Sequence, residues 1–256
     1  SNKRWDTNYA GRSGKTNFRK EKIIMGFKVV IPSRHNSTRL PGKSLMMIGD
    51  FPMVIHVAKK AALSGAEEVI IATDDIRIKD VSESFGFNAV MTRKDHLTGT
   101  DRVCEVAEIN DWPSNQIIIN VQGDEPLIDP KLISLVAKSM EKESLSYVTA
   151  CCEFDSEKDF VSPDNVKVIF DANNFAVNFS REAISGLHHI GIYGYSVKLL
   201  KQFCKLPCSK NENAQSLEQL RALDNNILLK VLMYQGSFMK GVDTLDELNM
   251  VRKILS

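Results

Sequence analysis

FKVVIPSRHNSTRLPGK (27–43) runs from an apolar strand straight into a loop rich in cations and turn-forming residues. Val29, Val30 and Ile31 follow one another without polar alternation, which suits a buried strand covered on both faces. Further along, Pro52 opens a helix with Val54, Ile55, Ala58, Ala61 and Ala62 on one face and Gly65 as its stop. EVIIAT (68–73) reads as a strand, Ile76 to Phe85 as a helix ended by Gly86, and NAVMT (88–92) as a strand. A helix from about Asp101 to Ile109 leads to the strong strand QIIINVQ (116–122). This alternation predicts right-handed βαβ units and an α/β fold with a doubly wound, mostly parallel sheet. Ligands of such sheets lie beyond the C-terminal strand ends, so the loops that follow the strands are the places to look.

The middle of the chain has a different texture. LSYVTACCEF (145–154), NVKVIFD (165–171), NFAVNFS (174–180) and HIGIYGYS (189–196) are strand-like, and Asn173-Asn174 suits a hairpin turn. Residues 145–196 are therefore expected to supply a smaller antiparallel portion within one domain spanning 25–256. Helices near 197–206 and 212–225, a strand ILLKVLMY (227–234) and a last helix from Thr244 complete the reading.

Bulk properties narrow the function classes. A net charge of +1 over 256 residues argues against a nucleic-acid binder held by bulk electrostatics, so an anionic ligand must meet local cation clusters. The five cysteines include no CxxC pair, which points to reduced cytosolic thiols and away from zinc or a disulfide framework. No apolar run approaches a membrane span, and the N-terminus has no signal-peptide stretch. Residues 1–24 are polar, basic and aperiodic, and read as a disordered leader ahead of a start at Met25-Gly26. GRSGKT (11–16) imitates the end of a phosphate-binding P-loop. The pattern fails because Tyr9 stands where its first glycine belongs and no strand precedes it.

Candidate chemistry lies in three loops. PSRHNSTRLPGK (32–43) places Arg34, Arg39 and Lys43 within ten residues at the first strand end, suited to binding a triphosphate. QGDEP (122–126) offers Asp124 and Glu125, where a carboxylate could hold Mg²⁺ or simply serve a turn. In GVDTLDEL (241–248), Thr244 and Glu247 form a capping box for the final helix, which leaves Asp243 unneeded as a cap and available to a metal.

Taken in order and at this spacing, PSRHNSTRLPGKSL, ATDD, MTRKDHLTGTDR, INVQGDEPLI, HHIGIYGY, LEQLRAL and GVDTLDEL resemble the 3-deoxy-D-manno-octulosonate (Kdo) cytidylyltransferase family from about Phe27 to the C-terminus. The resemblance implies a nucleotide-diphospho-sugar transferase-like α/β fold with a smaller dimerisation portion. It also implies a cytoplasmic, Mg²⁺-dependent homodimer that joins CTP to Kdo for lipopolysaccharide synthesis. On it, Arg34, Arg39 and Lys43 contact the CTP phosphates, and Asp124 and Asp243 are the metal ligands. Thr73, Asp74, Arg93, Gly99 and Thr100 line the cytidine pocket. Gln122, Arg181, His189, Tyr193, Glu218 and Gln219 match the sugar side. No protein base is assigned.

From the pattern alone, His189 and Tyr193 equally suit a core pair on one strand face, and Glu218 equally suits a helical partner of Arg221. His35, His56 and His188 have no motif-based role. Two stretches depart from the family pattern. SREAISGLHHIGIYGY (180–195) lacks the family's longer loop after the Ser-Arg pair and has His188 at a usual Arg, and SKNENAQS (209–216) has Gln215 at a usual Glu. The alternatives they leave are CMP transfer to a related acid such as 8-amino-Kdo, and a non-catalytic CTP-binding paralogue.

Overall fold

The computed structural model describes residues 26–35, 39–236 and 238–255. Residues 1–24, read above as a leader, and their GRSGKT segment lie outside them. The first half alternates as expected. β1 (Phe27–Pro32) leads through a short hairpin of β2 (Met47–Ile48) and β3 (Phe51–Pro52) to α1 (Met53–Ala62). β4 (Glu68–Thr73), α2 (Ile76–Ser84), β5 (Asn88–Met91), α3 (Gly99–Ile109), β6 (Ile117–Asn120) and α4 (Pro130–Glu143) follow. The second half brings β7 (Tyr147–Cys152), α5 (Glu157–Val161), β8 (Lys167–Phe170), β9 (Ala176–Ser180) and β10 (Leu187–Ser196). It closes with α6 (Val197–Phe203), α7 (Lys210–Gln215), α8 (Leu220–Asp224), β11 (Lys230–Met233) and α9 (Leu245–Leu255).

Consecutive apolar residues in β1 are explained by what covers it. Val29 and Ile31 pack with Val54, Ile55 and Ala58 of α1 on one face, while Val30 packs with Ile70, Val103 and Val106 on the other. All three β1 residues are fully buried, so both faces of the strand must be apolar. The sheet runs β11-β7-β10-β6-β1-β4-β5. β1 pairs in parallel with β4 and β6, β4 with β5, and β7 with β11. β10 alone on this path runs antiparallel, between β6 and β7. Strand order reverses at β1, with β4 and β5 on one side and β6 on the other. That is the switch point where strand-end loops diverge and leave a crevice.

The segment 145–196 divides its strands. β7 and most of β10 lie in the main sheet, while β8 and β9 form an antiparallel hairpin that pairs with the start of β10. The hairpin turn falls at Asn174, which adopts a left-handed φ of 60°.

Two helix expectations change. The helix expected over 212–225 is broken. Ser209 and Glu212 form a capping box that starts α7 at Lys210, and Ser216 ends it with a left-handed φ of 52° before α8 begins. α3 starts two residues ahead of the expected Asp101, because Thr98 and Asp101 cap each other. A third, small apolar cluster of Leu40, Ile48, Met53, Val242, Leu248 and Val251 docks α9 and the 238–244 loop onto the β2–β3 hairpin.

Candidate active site

Each of the three loops singled out above is closed locally before it meets the others. After β1, Gly42 takes a left-handed φ of 70° and donates its N–H to the His35 carbonyl at 3.0 Å. The next residues form a 3₁₀ turn, Lys43–Leu45, and buried Ser33 donates to Ser44 Oγ at 2.7 Å. After β6, Gly123 passes so near β1 that a Cβ there would lie 2.8 Å from the Pro32 carbonyl oxygen, so only glycine fits. Before α9, Val242 N–H donates to the Asp124 carbonyl at 2.8 Å, and a Cβ at Gly241 would come within 3.0 Å of Asp124 Oδ1. These close approaches bring Asp124 and Asp243 face to face.

Lys43 fills the space between them. Its Nζ donates to Asp124 Oδ2 at 2.5 Å, Asp243 Oδ1 at 2.8 Å and the Val242 carbonyl at 2.9 Å. Arg39 Nη2 takes the other Asp243 oxygen at 2.5 Å. Burial alone would lower the Lys43 pKa, but the charge and hydrogen bonds of Asp124 and then Asp243 leave it above its usual value. Glu247 Oε2 accepts from the backbone N–H groups of Asp243 and Thr244 at 2.8 and 2.9 Å. The Asp243 carboxylate is thus spared from capping and turned toward Lys43, as the capping-box reading requires.

A cavity of about 410 Å³ opens beside this cluster. Arg34, Arg39, Lys43, Asp124 and Asp243 form one side. Thr98, Gly99, Arg102, Gln122 and Glu218 line the other. Gln122, from the loop after β6, and Glu218, from the turn before α8, reach it across the switch point. Of the expected cytidine residues, Gly99 lines the cavity directly. Thr100 is buried behind it and donates to Glu218 Oε2 at 2.7 Å. Thr73 ends β4 with its hydroxyl accepting from Asp75 N–H at 3.2 Å, and Asp74 is held by Arg102 at 2.9 Å. Arg93 lines an adjoining groove instead, 3.6 Å from Asp95.

Arg102 is the functional candidate that sequence reasoning missed. It is buried, faces the cavity, and binds the Asp74 carboxylate, the Thr92 hydroxyl and the Arg93 carbonyl together. Its signal was present: an arginine closes the TGTDR stretch on the first turn of a helix that begins at the switch point.

On the far side, His189 sits buried against the Thr149 hydroxyl at 2.9 Å, and burial pushes its pKa down to about 3. Its ring lies 5.7 Å from that of Tyr193. Gln219 is buried beside Glu218 in the turn before α8. Arg221 forks onto Glu212, with Nε 2.8 Å from Oε2, and lies 3.8 Å from Glu218 Oε1, beyond hydrogen-bond range. Glu218 Oε1 is therefore buried without a hydrogen-bond partner among the described residues, and burial raises the pKa of its carboxyl. Glu125 has the same condition at Oε2, and burial followed by the Asp124 charge pushes it up to about 8. Arg181 is engaged elsewhere, donating to the Gln215 and Pro163 carbonyls at 3.2 and 3.1 Å. Its own carbonyl accepts from the buried Lys167 ammonium at 3.1 Å.

A mostly parallel sheet gathers cations and carboxylates at its switch point, beside an open cavity, an arrangement suited to an anionic nucleotide. The family model described as Cytidylyltransferase matches residues 28–233. The chain is 40% identical over 249 residues to the 3-deoxy-manno-octulosonate cytidylyltransferase of Thioalkalivibrio sulfidiphilus, covering 90% of this chain and 99% of the relative. It is 42% identical over 249 residues to the enzyme of the same name from Thermodesulfovibrio yellowstonii, covering 89% and 97%. Among solved structures, a CMP:2-keto-3-deoxy-manno-octonic acid synthetase complexed with CTP superposes with a TM-score of 0.83 at 37% identity, over 90% of this chain and 98% of that one. The chain belongs to the 3-deoxy-manno-octulosonate cytidylyltransferase family.

Proposed function

We propose that this chain transfers CMP from CTP to the anomeric hydroxyl of Kdo, releasing pyrophosphate and forming CMP-Kdo for lipopolysaccharide synthesis. The observation that carries the reading is the Lys43 cluster, a half-buried ammonium, two carboxylates and an arginine drawn from three loops to one cavity wall. Fixed cations at a strand-end crevice suit an anionic nucleotide and the charge that develops as its phosphates react. In the proposed reaction the C2 hydroxyl oxygen of the sugar acid bonds to the α-phosphorus of CTP. The bond from that phosphorus to the bridging oxygen breaks, pyrophosphate leaves with the electron pair, and the hydroxyl proton passes to solvent. Arg34, Arg39 and Lys43 bind and neutralise the phosphates, so the chain acts mainly by positioning and electrostatics. Gly99 and Thr100, with Thr73, Asp74 and Arg102 behind them, serve the nucleoside end. Gln122, His189, Tyr193, Glu218 and Gln219 serve the sugar end, and Arg181, tied to two carbonyls, is left out of that set.

The groups around Lys43 Nζ are all oxygens, two carboxylates and a carbonyl, which is the donor chemistry of a hard divalent cation. Asp124 and Asp243 are read as the residues that hold Mg²⁺. The metal, when bound, supplies further neutralisation of phosphate charge. The enzyme is further read as a cytoplasmic homodimer. Five unbridged thiols among the described residues support the compartment, and the homodimer rests on the family resemblance.

One observation favours a second reading. The chain passes from Ser180 at the end of β9 to Leu187 at the start of β10 with only a short turn, so the family's longer loop is missing beside the acceptor end. A related acid such as 8-amino-Kdo is that alternative. Pyrophosphate release decides it, with Mg²⁺, offering CTP against ATP, GTP and UTP, and Kdo against its amino analogue and sialic acid. Release with CTP and Kdo alone is expected. Preference for the amino analogue moves the substrate and keeps the chemistry. CTP binding without release for any acid sinks the reading and leaves a non-catalytic paralogue.

A further inference from the structure

Two of the free thiols meet beside the active site. Cys104 stands on α3 one turn beyond Thr100, on the same helix face. Cys204 closes the C-terminal end of α6, which packs against α3. Its Sγ lies 3.8 Å from the Thr100 carbonyl oxygen. In an α-helix that carbonyl points toward the N–H four residues on, which is that of Cys104. Both thiols line the groove of about 290 Å³ that adjoins the cavity, together with Arg93, Lys201 and Lys205. They are not equivalent. A hydrogen bond from Cys204 holds the Cys104 pKa below its usual value against the opposing effect of burial, and Lys201 adds to it. The same contact, followed by burial, pushes Cys204 up. Cys151 and Cys152 supply the contrast. They are adjacent on β7, belong to the apolar clusters on opposite faces of the sheet, and burial pushes them up to about 12 and 11.

A thiolate-prone sulfur with a second thiol against it, at the wall of an open groove, can be oxidised and then resolved. We propose that Cys104 and Cys204 are a peroxide-sensitive pair that closes to a disulfide and weakens the nucleoside end of the cavity. The Cys104 thiolate sulfur attacks one peroxide oxygen, the O–O bond breaks, and hydroxide leaves, taking up the proton that Cys104 gave away. The Cys204 sulfur then attacks the Cys104 sulfenic sulfur, the S–O bond breaks, and hydroxide leaves with the Cys204 proton as a second water. The thiol pair loses two electrons, and one peroxide is reduced to two waters. Bridging withdraws Cys204 from the Thr100 carbonyl and shifts the first turns of α3. Thr100 is bonded to Glu218 and its neighbour Gly99 lines the cavity, so the shift reaches the site. The regulation rests on the cytidylyltransferase reading above; the cross-link itself does not.

The test treats the full chain with hydrogen peroxide, blocks the remaining thiols with iodoacetamide and maps the peptides. CTP binding by calorimetry and pyrophosphate release are measured before treatment, after it, and after dithiothreitol. A Cys104–Cys204 cross-link is expected, with CTP affinity about tenfold weaker and release lowered, both restored by dithiothreitol. Cys104→Ala and Cys204→Ala are expected to keep untreated release and lose the response, while Cys208→Ser keeps the response; Cys204→Ser decides the matter if the alanine variants melt early. Both thiols found alkylated after peroxide, or a cross-link with CTP affinity unchanged, overturns the inference alone. CTP binding that weakens on oxidation, in a chain that releases no pyrophosphate with any acid, overturns the proposed function and leaves the thiol pair standing.

Discussion

At the scale of single residues, Lys43 shows how a point charge differs from a forked one. Its ammonium meets three oxygens at once within 2.9 Å, which a compact, freely rotating group can do and a planar guanidinium cannot. Lys43→Met is expected to lower kcat on the order of a hundredfold in the pyrophosphate assay, and Lys43→Arg to recover little of it. Asp124→Asn and Asp243→Asn should each lose a similar factor and weaken Mn²⁺ binding by calorimetry; full activity in both would remove them from the metal site. His189 gives a pH prediction whose sign is fixed by its buried, neutral state. Its pKa falls from 6.5 to about 3 on folding, so below pH 6.5 the unfolded chain takes up a proton that the native one refuses. The stability it contributes is present above pH 6.5 and is lost as pH falls toward 3. Glu125, raised from 4.5 to about 8, opposes this: its contribution is present below pH 4.5 and is lost as pH rises to 8. Between these limits the two slopes offset. Urea unfolding from pH 5 to 6.5 should therefore tilt in opposite directions, relative to wild type, in His189→Gln and Glu125→Gln, by about 2 kcal/mol across that span. Parallel profiles would mean that His189 stays protonatable in the fold.

Among elements, the short helices before β11 carry more of the site than their length suggests. Arg221 on α8 is buried and hydrogen-bonded to Glu212 on α7, with Glu218 a second, looser ion-pair partner at 3.8 Å. Arg221→Met leaves the Glu212 charge buried without its partner and should lower stability by roughly 3 kcal/mol in urea, with a rise in the KM for the acid as Glu218 loses its setting. The helical spacing of Glu218 and Arg221 was legible in the sequence and shows as an ion pair at 3.8 Å, but the hydrogen bonds of Arg221 go to Glu212, nine positions away, which spacing alone cannot announce. The main-sheet and β8–β9 strands were legible to within two or three residues because their apolar runs are bounded by polar and turn-forming residues, whereas the two-residue β2 and β3 were not. α4 was overlooked although Asp129 caps it and Pro130 occupies its first turn, with Leu132, Ile133, Val136, Ala137 and Met140 on the buried face. The break at Ser216 carried no such signal, since a serine in left-handed conformation looks like any other serine in a sequence.

For the whole molecule, the sheet decides what can be read in advance and what cannot. Alternating strands and helices were enough to place the site at the ends of β1 and β6, because topology puts the switch point there. The meeting of Lys43 with Asp243, 200 positions apart, needed the third apolar cluster to dock α9 beside the first loop, and no local pattern encodes that. The proposed homodimer makes a prediction at this scale. Val177 on β9 has 60% of its surface exposed, and Val177→Asp should convert a species sedimenting at twice the 28.7 kDa chain mass into monomer. A wild type that sediments as monomer at every concentration removes the dimer.

The placement of β10 also bears on how the chain is made. β6 and β7 are separated in the sheet by a strand that leaves the ribosome after both of them. Until residues 187–196 emerge, the apolar β6 has one bare edge and β7 has no neighbour at all, since β11 comes later still. Synthesis thus passes through a stage at which a half-built sheet leaves an apolar strand edge unpaired, the kind of edge that invites pairing with other chains.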